Sequence, residues 1–275
     1  MRTVHVIEWV VGVLLLAAPA ARAAWIVGDP VKMDHAQLPD LSTNGLAVNA
    51  SVHPILADDF KCTASGPISH VTIWGAWRQD VLPQNSPSQV AFTLSLHSDV
   101  PKAGQGTFSH PGNLLWQKTF QPGDFEVGLE QQGIQEGWWD RYLSLYIPSG
   151  GPQAPTKCWQ YDFDIPVADS YSQTEGTIYW LDVQAAPVAP GGTGGAEFGW
   201  TTTTPAQAYN DAAVYAIGSE PGPLTWSVIQ YPWWWGHPLG TQQLDLAFAI
   251  TPEPASMVLV GLGLAGLVLR RRRRR

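Results

Sequence analysis

The chain has 275 residues and a formal net charge of −8, from 15 basic and 23 acidic side chains. The charge is uneven, because two basic residues lie in the first 23 positions and six form Arg270–Arg275. Only Glu8 and Glu253 are acidic in the terminal segments, which leaves 7 basic against 21 acidic residues, or −14, in between. So negative a surface argues against nucleic acids and other polyanions as partners and is compatible with neutral glycans.

The first segment, Met1–Ala23, has the pattern of a secretory signal peptide. An early arginine precedes an apolar run, and Ala21-Arg22-Ala23 supplies the small-x-small pattern of a cleavage site. Cleavage after Ala23 or Ala24 would leave a mature chain that begins near Trp25. Two apolar termini around a polar middle also suit a protein that crosses the membrane twice, but the alanine-rich end of the first segment argues against that. We therefore expect export through the secretion translocon.

A polar entry segment at residues 24–45 precedes a predicted domain at residues 46–250, in which the two-residue periodicity of β-strands is evident from Ile55 onward. Apolar and polar side chains alternate in Gln89–His97 and Lys157–Ile165, which is typical of half-buried strands in antiparallel sheets. Eight further stretches of strand-like composition are separated by turns rich in glycine and proline. They are Ile68–Trp77, Asn113–Phe120, Tyr142–Ile147, Thr177–Val183, Phe198–Thr203, Ala212–Ile217, Trp226–Ile229 and Leu244–Ile250.

This pattern predicts an all-β fold, an antiparallel β-sandwich or jelly-roll-like domain that spans residues 46–250. Gln131–Gly137 is the one stretch whose composition suits a helical turn. Pro187–Gly195 suits either a domain linker or a surface loop, and we favour the loop because the strands on both sides fit one set of sheets. The predicted core consists of Phe60, Val71, Ile73, Trp77, Phe92, Leu94, Leu96, Trp159, Tyr161, Phe163, Leu181, Leu246 and Phe248.

The two cysteines, Cys62 and Cys158, both lie in the exported part. In an oxidising compartment two lone cysteines often pair, so we expect a disulfide bond between them; two buried free thiols are the alternative. A metal site is not expected here, because neither cysteine has a second cysteine or a histidine at ligand spacing.

The last segment, residues 251–275, combines three features in order. Prolines on both sides of Glu253 end the domain, since proline lacks a backbone N–H. The uncharged run Ala255–Leu269 would form a helix of about 22 Å, which is short for a hydrocarbon core of about 30 Å. The arginine block would stay on the cytoplasmic side. This order resembles the PEP-CTERM sorting signal of Gram-negative bacteria that make extracellular polysaccharide; an ordinary carboxyl-terminal membrane anchor is the alternative.

The resemblance implies a partner and a route. Exosortase, a membrane-embedded cysteine protease, would cut near the Pro-Glu-Pro motif of a precursor that residues 255–269 anchor in the inner membrane as a short transmembrane helix. The domain, first periplasmic, would then reach the cell surface or extracellular matrix. The residues that carry the signal are Pro252, Glu253, Pro254, Arg270, Arg271, Arg272, Arg273, Arg274 and Arg275.

A second resemblance covers most of residues 46–250. The block Ala57-Asp58-Asp59-Phe60-x-Cys62 and the later Ile68-x-x-Val71-x-x-Trp74-Gly75-x-Trp77 resemble the start of an uncharacterised domain of PEP-CTERM proteins. Later stretches fit the same pattern, namely Tyr179–Val183, Phe198–Trp200, Asn210–Val214 and Leu244–Phe248. The resemblance supports one domain and implies no activity.

Two runs of tryptophan are the clearest candidates for a binding site, Trp138-Trp139 and Trp233-Trp234-Trp235. Consecutive residues of a strand point to opposite faces, so at least one indole of each run faces away from the core that its neighbours join. Exposed indoles stack on the apolar faces of sugar rings, and flanking prolines place the triple run in a rigid loop. A loop that folds its aromatic rings back over the sandwich is the alternative.

Catalytic motifs are absent from the sequence, which contains no nucleophile elbow, zinc-protease motif or phosphate loop. The acidic pairs Asp58-Asp59 and Asp162/Asp164 lack the spacing of a calcium loop and suit turns or solvated surface, and the histidines are scattered. We therefore expect no metal, no cofactor and no enzymatic activity. Two functions remain open: a non-catalytic surface or matrix protein, and a carbohydrate-binding module for exopolysaccharide that uses the two tryptophan runs.

Overall fold

The computed structural model describes residues 24–51, 54–103, 108–187, 195–218, 224–240 and 242–252. The predicted signal peptide, the apolar run Ala255–Leu269, the arginine block and nearly all of the Pro187–Gly195 stretch lie outside these residues. Within the described ranges, no helix has the length and apolar character needed to cross a membrane.

The described chain folds into sixteen β-strands and four short 3₁₀ turns. The strands are β1 Leu46–Asn49, β2 Pro54–Lys61, β3 Gly66–Pro67, β4 His70–Trp77, β5 Val90–Val100, β6 His110–Phe120, β7 Glu126–Gln132, β8 Gly137–Asp140, β9 Leu145–Ile147, β10 Lys157–Asp164, β11 Ser172–Gln173, β12 Ile178–Pro187, β13 Phe198–Thr201, β14 Val214–Ile217, β15 Ser227–Val228 and β16 Phe248–Thr251. The 3₁₀ turns are Arg78–Asp80, Pro83–Asn85, Val167–Asp169 and Trp233–Trp235. The predicted all-β class is confirmed.

The strands form two large sheets and a small two-stranded one. The eight-stranded sheet has the order β7-β10-β4-β13-β1-β8-β9, with β16 also paired to β4. The six-stranded sheet has the order β15-β14-β2-β12-β5-β6. Among the described strand pairs, β1 and β8 run parallel and the others run antiparallel. Every strand predicted from alternation is present, although most boundaries move by a few residues.

Aromatic side chains from both sheets pack in the space between them. Phe92 of the six-stranded sheet contacts Tyr161, Phe163 and Phe198 of the eight-stranded sheet, with ring centroids 5.0–5.4 Å apart and edge-to-face geometry. The predicted core residues are all buried except Trp159, which is half-buried opposite Leu129 of the edge strand β7. The alternating pattern thus identified the inner faces of both sheets.

The outer face of the eight-stranded sheet is covered rather than solvated. Residues 32–37 run beside β16, with Lys32 N donating to Ile250 O at 2.6 Å and Gln37 N to Phe248 O at 3.0 Å. Trp25, Leu38 and Leu41 of the same segment pack over the outward-facing Trp74, Cys158 and Ala249. As a result Gln160 and Asp162, which alternation predicts to face solvent, are buried. That part of the prediction is wrong because a non-strand segment forms a further layer, which periodicity does not reveal.

Two local predictions are also wrong. Gln131–Gly137 contains no helical turn, since β7 continues to Gln132 and the chain then turns at Gly133, whose φ is 77°, before β8. Cys62 and Cys158 are both free and buried. Cys62 belongs to the main core, whereas Cys158 belongs to the cluster beneath the amino-terminal segment. The two sulfur atoms therefore lie on different sides of the eight-stranded sheet.

Candidate functional site

The triple run Trp233–Trp235 forms a 3₁₀ turn at the surface. Pro232, with φ fixed at −73°, precedes the turn, and Gly236 ends it at φ 79°, a conformation that favours glycine. The exposed fractions of Trp233, Trp234 and Trp235 are 59%, 44% and 58%. The turn therefore presents three large aromatic side chains to solvent on a conformationally restricted backbone.

Buried aromatic rings hold this turn in place. Tyr231 is fully buried and stacks on His237, with ring centroids 4.7 Å apart and an interplanar angle of 18°. The Leu239 N–H donates to His237 Nδ1 at 3.1 Å, and burial lowers the pKa of His237, which keeps the ring neutral and able to accept. Trp234 meets the buried Trp139 edge-to-face at 6.0 Å. The exposed indoles are thus anchored to the core.

A small open cavity of about 240 Å³ lies beside the first tryptophan. Among the residues that the structure describes, its lining consists of Gln230, Trp233, Gly240 and Gln242, which combine an aromatic face with two uncharged amides. Amides both donate and accept hydrogen bonds, as hydroxyl-rich ligands require. The glutamines were missed from the sequence because the Gln230–Gln243 bridge that brings their segments together is non-local.

The other tryptophan run does not belong to this surface. Trp138 and Trp139 lie on β8 and are fully buried. Trp138 packs in a cluster with Ala47 and Ala76, and Trp139 points to the opposite face, into the main core. Their prediction as exposed stacking residues is wrong, because both faces of the eight-stranded sheet are covered here.

Three buried aspartates form the most perturbed ionisable cluster. Burial is the main cause that raises the pKa of Asp59 to about 8, the pKa of Asp245 to about 7 and the pKa of Asp58 well above its ordinary value. Asp58 accepts backbone N–H groups of Asp59 at 3.0 Å and Leu246 at 2.6 Å, so it fastens the segment before β16 to β2. These contacts indicate a structural clamp rather than the solvated turn that we expected.

Two histidines are paired with carboxylates that are distant in sequence. His70 lies between Asp164, 2.8 Å from Nδ1, and Asp162, 3.1 Å from Nε2. His97 Nε2 lies 3.0 Å from the buried Asp182, and its Nδ1 lies 3.0 Å from Gly112 O. Both rings therefore have acceptors at both nitrogens, which does not suit a general base. Within the described residues, no three histidine, cysteine or carboxylate side chains converge as a metal site.

Comparison with known families assigns the two parts of the chain. A family model described as a domain of unknown function, DUF7901, matches residues 33–251, and the PEP-CTERM protein-sorting motif matches residues 251–274. No curated protein and no solved structure matches the chain. The chain belongs to the DUF7901 family, and its sorting motif marks it as an exported protein whose membrane-anchored precursor is processed by exosortase.

Proposed function

We propose that this DUF7901 protein is a non-catalytic cell-surface or extracellular-matrix protein that contacts polysaccharide through Trp233–Trp235. The observation that carries the proposal is the exposure of three consecutive indoles on a turn whose backbone is fixed by Pro232 and Gly236. Exposed aromatic groups of this size mark binding surfaces, and indoles suit the flat apolar faces of sugar rings.

The size of the surface suits weak contacts repeated along a polymer. An aromatic contact contributes about 1 kcal/mol beyond its burial, so three indoles together give roughly 3 kcal/mol, or about a hundredfold in affinity. Little ordering entropy opposes binding, since the turn is already held by Tyr231 and His237. A polysaccharide that offers many equal sites can contact several displayed copies of the protein at once. The high effective concentration of these sites then raises the overall affinity.

Charge favours a neutral polysaccharide over an acidic one. The exported part carries a net charge of −14, and the cavity beside Trp233 is lined by uncharged residues. A polyanionic glycan would be repelled by the domain as a whole, more strongly at low ionic strength.

The absence of catalysis is part of the proposal, and the geometry of the buried groups supports it. Catalytic carboxylates face a cleft where they reach substrate, whereas Asp58 is fully buried with both oxygens engaged by backbone N–H groups. His70 and His97 lie in the same way against carboxylates or carbonyls that occupy their ring nitrogens.

The test is a binding titration of the exported protein against soluble neutral and acidic polysaccharides, including the host's own. Binding is monitored by the change in tryptophan fluorescence. We expect saturable binding to a neutral polymer and an affinity about fivefold lower in each of Trp233→Ala, Trp234→Ala and Trp235→Ala. Val167→Ala, at a side chain that is 57% exposed on the turn beside β6, the edge strand farthest from β15, is the control and should bind normally. If no polymer binds, the proposed contact with polysaccharide is wrong, and only the role as a displayed surface protein remains.

A further inference from the structure

Trp25, which lies at the predicted signal-peptide junction, is seated in a socket on the outer face of the eight-stranded sheet. Its side chain is only 5% exposed and meets Trp74 edge-to-face, with ring centroids 5.5 Å apart. Ile134 and Ala249 belong to the same buried cluster. The neighbouring Ala24 is exposed, so the chain leaves the socket toward solvent.

Side chains of β10 hold the backbone of Trp25 at both polar atoms. Trp25 N lies 3.3 Å from Asp162 Oδ1, and Trp25 O accepts a hydrogen bond from Gln160 Nε2 at 2.8 Å. Gln160 Nε2 also donates to Asp162 Oδ2 at 2.9 Å. A carboxylate and an amide on one strand therefore fix the position of a single residue near the chain start.

The socket has more negative than positive groups. Asp162 is 4% exposed and accepts hydrogen bonds from Thr72, at 2.8 Å, and from His70. His70 also contacts Asp164, and Glu130 accepts the Trp74 indole N–H at 3.1 Å. Of the charged groups that the structure describes here, three are carboxylates and one is an imidazole. A buried carboxylate that lacks a full complement of cations favours an added positive charge.

We propose that this socket binds the new amino terminus that signal-peptide removal creates, and that the terminal ammonium forms an ion pair with Asp162. Hydrolysis adds water across the peptide bond after Ala24 or Ala23, which leaves a carboxylate on the signal peptide and an amine on the mature chain. The amine takes up a proton at neutral pH, because α-amino groups titrate near pH ~8.

The position of the cleavage site relative to the socket carries the argument. Cleavage after Ala24 places the ammonium on the nitrogen that lies 3.3 Å from Asp162 Oδ1. Cleavage after Ala23 places it one residue away, within a Cα–Cα step of about 3.8 Å. The precursor has a neutral amide at the same point, so processing strengthens the anchoring of residues 25–41 across the sheet.

The experiment compares three forms of the chain, each continuing to Arg275 and purified in detergent: one starting at Trp25, one starting at Ala24, and one with a neutral Gly-Ser extension before Trp25. Each form is made with Asp162 and with Asp162→Asn. Thermal unfolding is followed by tryptophan fluorescence, and the amino terminus of the exported protein is identified by mass spectrometry.

Of the two short forms, one starting at Trp25 and one at Ala24, the more stable should have a Tm about 3–6 °C above that of the extended form. Asp162→Asn should remove most of this difference. Asp34→Asn, at a side chain 57% exposed, is the control and should leave the difference intact. Equal Tm values for all three forms, a difference that survives Asp162→Asn, or a natural amino terminus several residues from Trp25 would overturn the proposal. None of these outcomes depends on glycan binding.

Discussion

The buried aspartate cluster makes the stability of the domain depend on pH in an unusual direction. Asp59 is fully buried, and burial raises its pKa from 3.8 to about 8. A carboxyl group that binds its proton more tightly when folded contributes stability below the unfolded pKa and loses it as pH rises toward the folded pKa. The free energy of unfolding should therefore fall between about pH 4 and pH 8.

The magnitude follows from the linkage relation. One proton held only by the folded state changes the free energy of unfolding by about 1.4 kcal/mol per pH unit, so three units between pH 4 and pH 7 correspond to about 4 kcal/mol. Asp59→Asn keeps an oxygen that can accept from Asn210, whose Nδ2 lies 2.9 Å from Asp59 Oδ2, and it removes the titrating proton. The variant should equal the wild type near pH 4 and be more stable by up to about 4 kcal/mol at pH 7.

Urea unfolding followed by tryptophan fluorescence at pH 4.5, 6, 7 and 8 measures this difference. Asp34→Asn, at an exposed carboxylate, serves as the control and should follow the wild-type curve. The reasoning is refuted if the wild type and Asp59→Asn show parallel pH profiles, because the proton would then be bound equally in both states.

Three further predictions test the fold and the topology. Trp138→Ala, which empties a fully buried site, should destabilise the domain by about 3–5 kcal/mol, whereas Trp235→Ala should change stability by less than about 0.5 kcal/mol in the same denaturant titration. Thiol titration of the unfolded, unreduced protein should find both Cys62 and Cys158 as free sulfhydryls, and a titre of zero would show that they pair. Replacement of Arg270–Arg275 by serines should impair membrane retention of the precursor in cell fractionation; retention equal to wild type would contradict the role of the arginines.

The sequence contains enough local information to predict the sandwich but not its outer layer. Alternation in β5 and β10 reports which side chains face the space between the sheets, because the side-chain period is two. The amino-terminal segment that covers the opposite face has no period, since its contacts are isolated bridges such as Gln37 with Phe248. Gln160 and Asp162 were predicted to face solvent and are buried for this reason.

The candidate site was predicted in part. Three consecutive indoles cannot all join one core, and the prolines around them restrict the backbone, so exposure of Trp233–Trp235 follows from local chemistry. The same argument failed for Trp138 and Trp139, because a strand covered on both faces can bury both of its neighbours. The amides of Gln230 and Gln242 depend on tertiary pairing and carry no sequence signal.

The close approach of Gly240 to the first tryptophan offers a way to disturb the binding surface without removing an indole. A Cβ atom at Gly240 would lie 2.5 Å from Trp233 Cβ and 2.7 Å from Trp233 Cα, well inside the ordinary contact distance of about 3.5–4.0 Å. Gly240→Ala should therefore push the 3₁₀ turn outward by roughly 1 Å and reshape the cavity. If the arrangement of the indoles matters, polysaccharide affinity should fall about as much as in Trp233→Ala, with a shifted tryptophan emission maximum. Gly128→Ala, where no atom lies within 4 Å of the added Cβ, is the control. Unchanged affinity in Gly240→Ala would mean that the tryptophans act singly, without a defined arrangement.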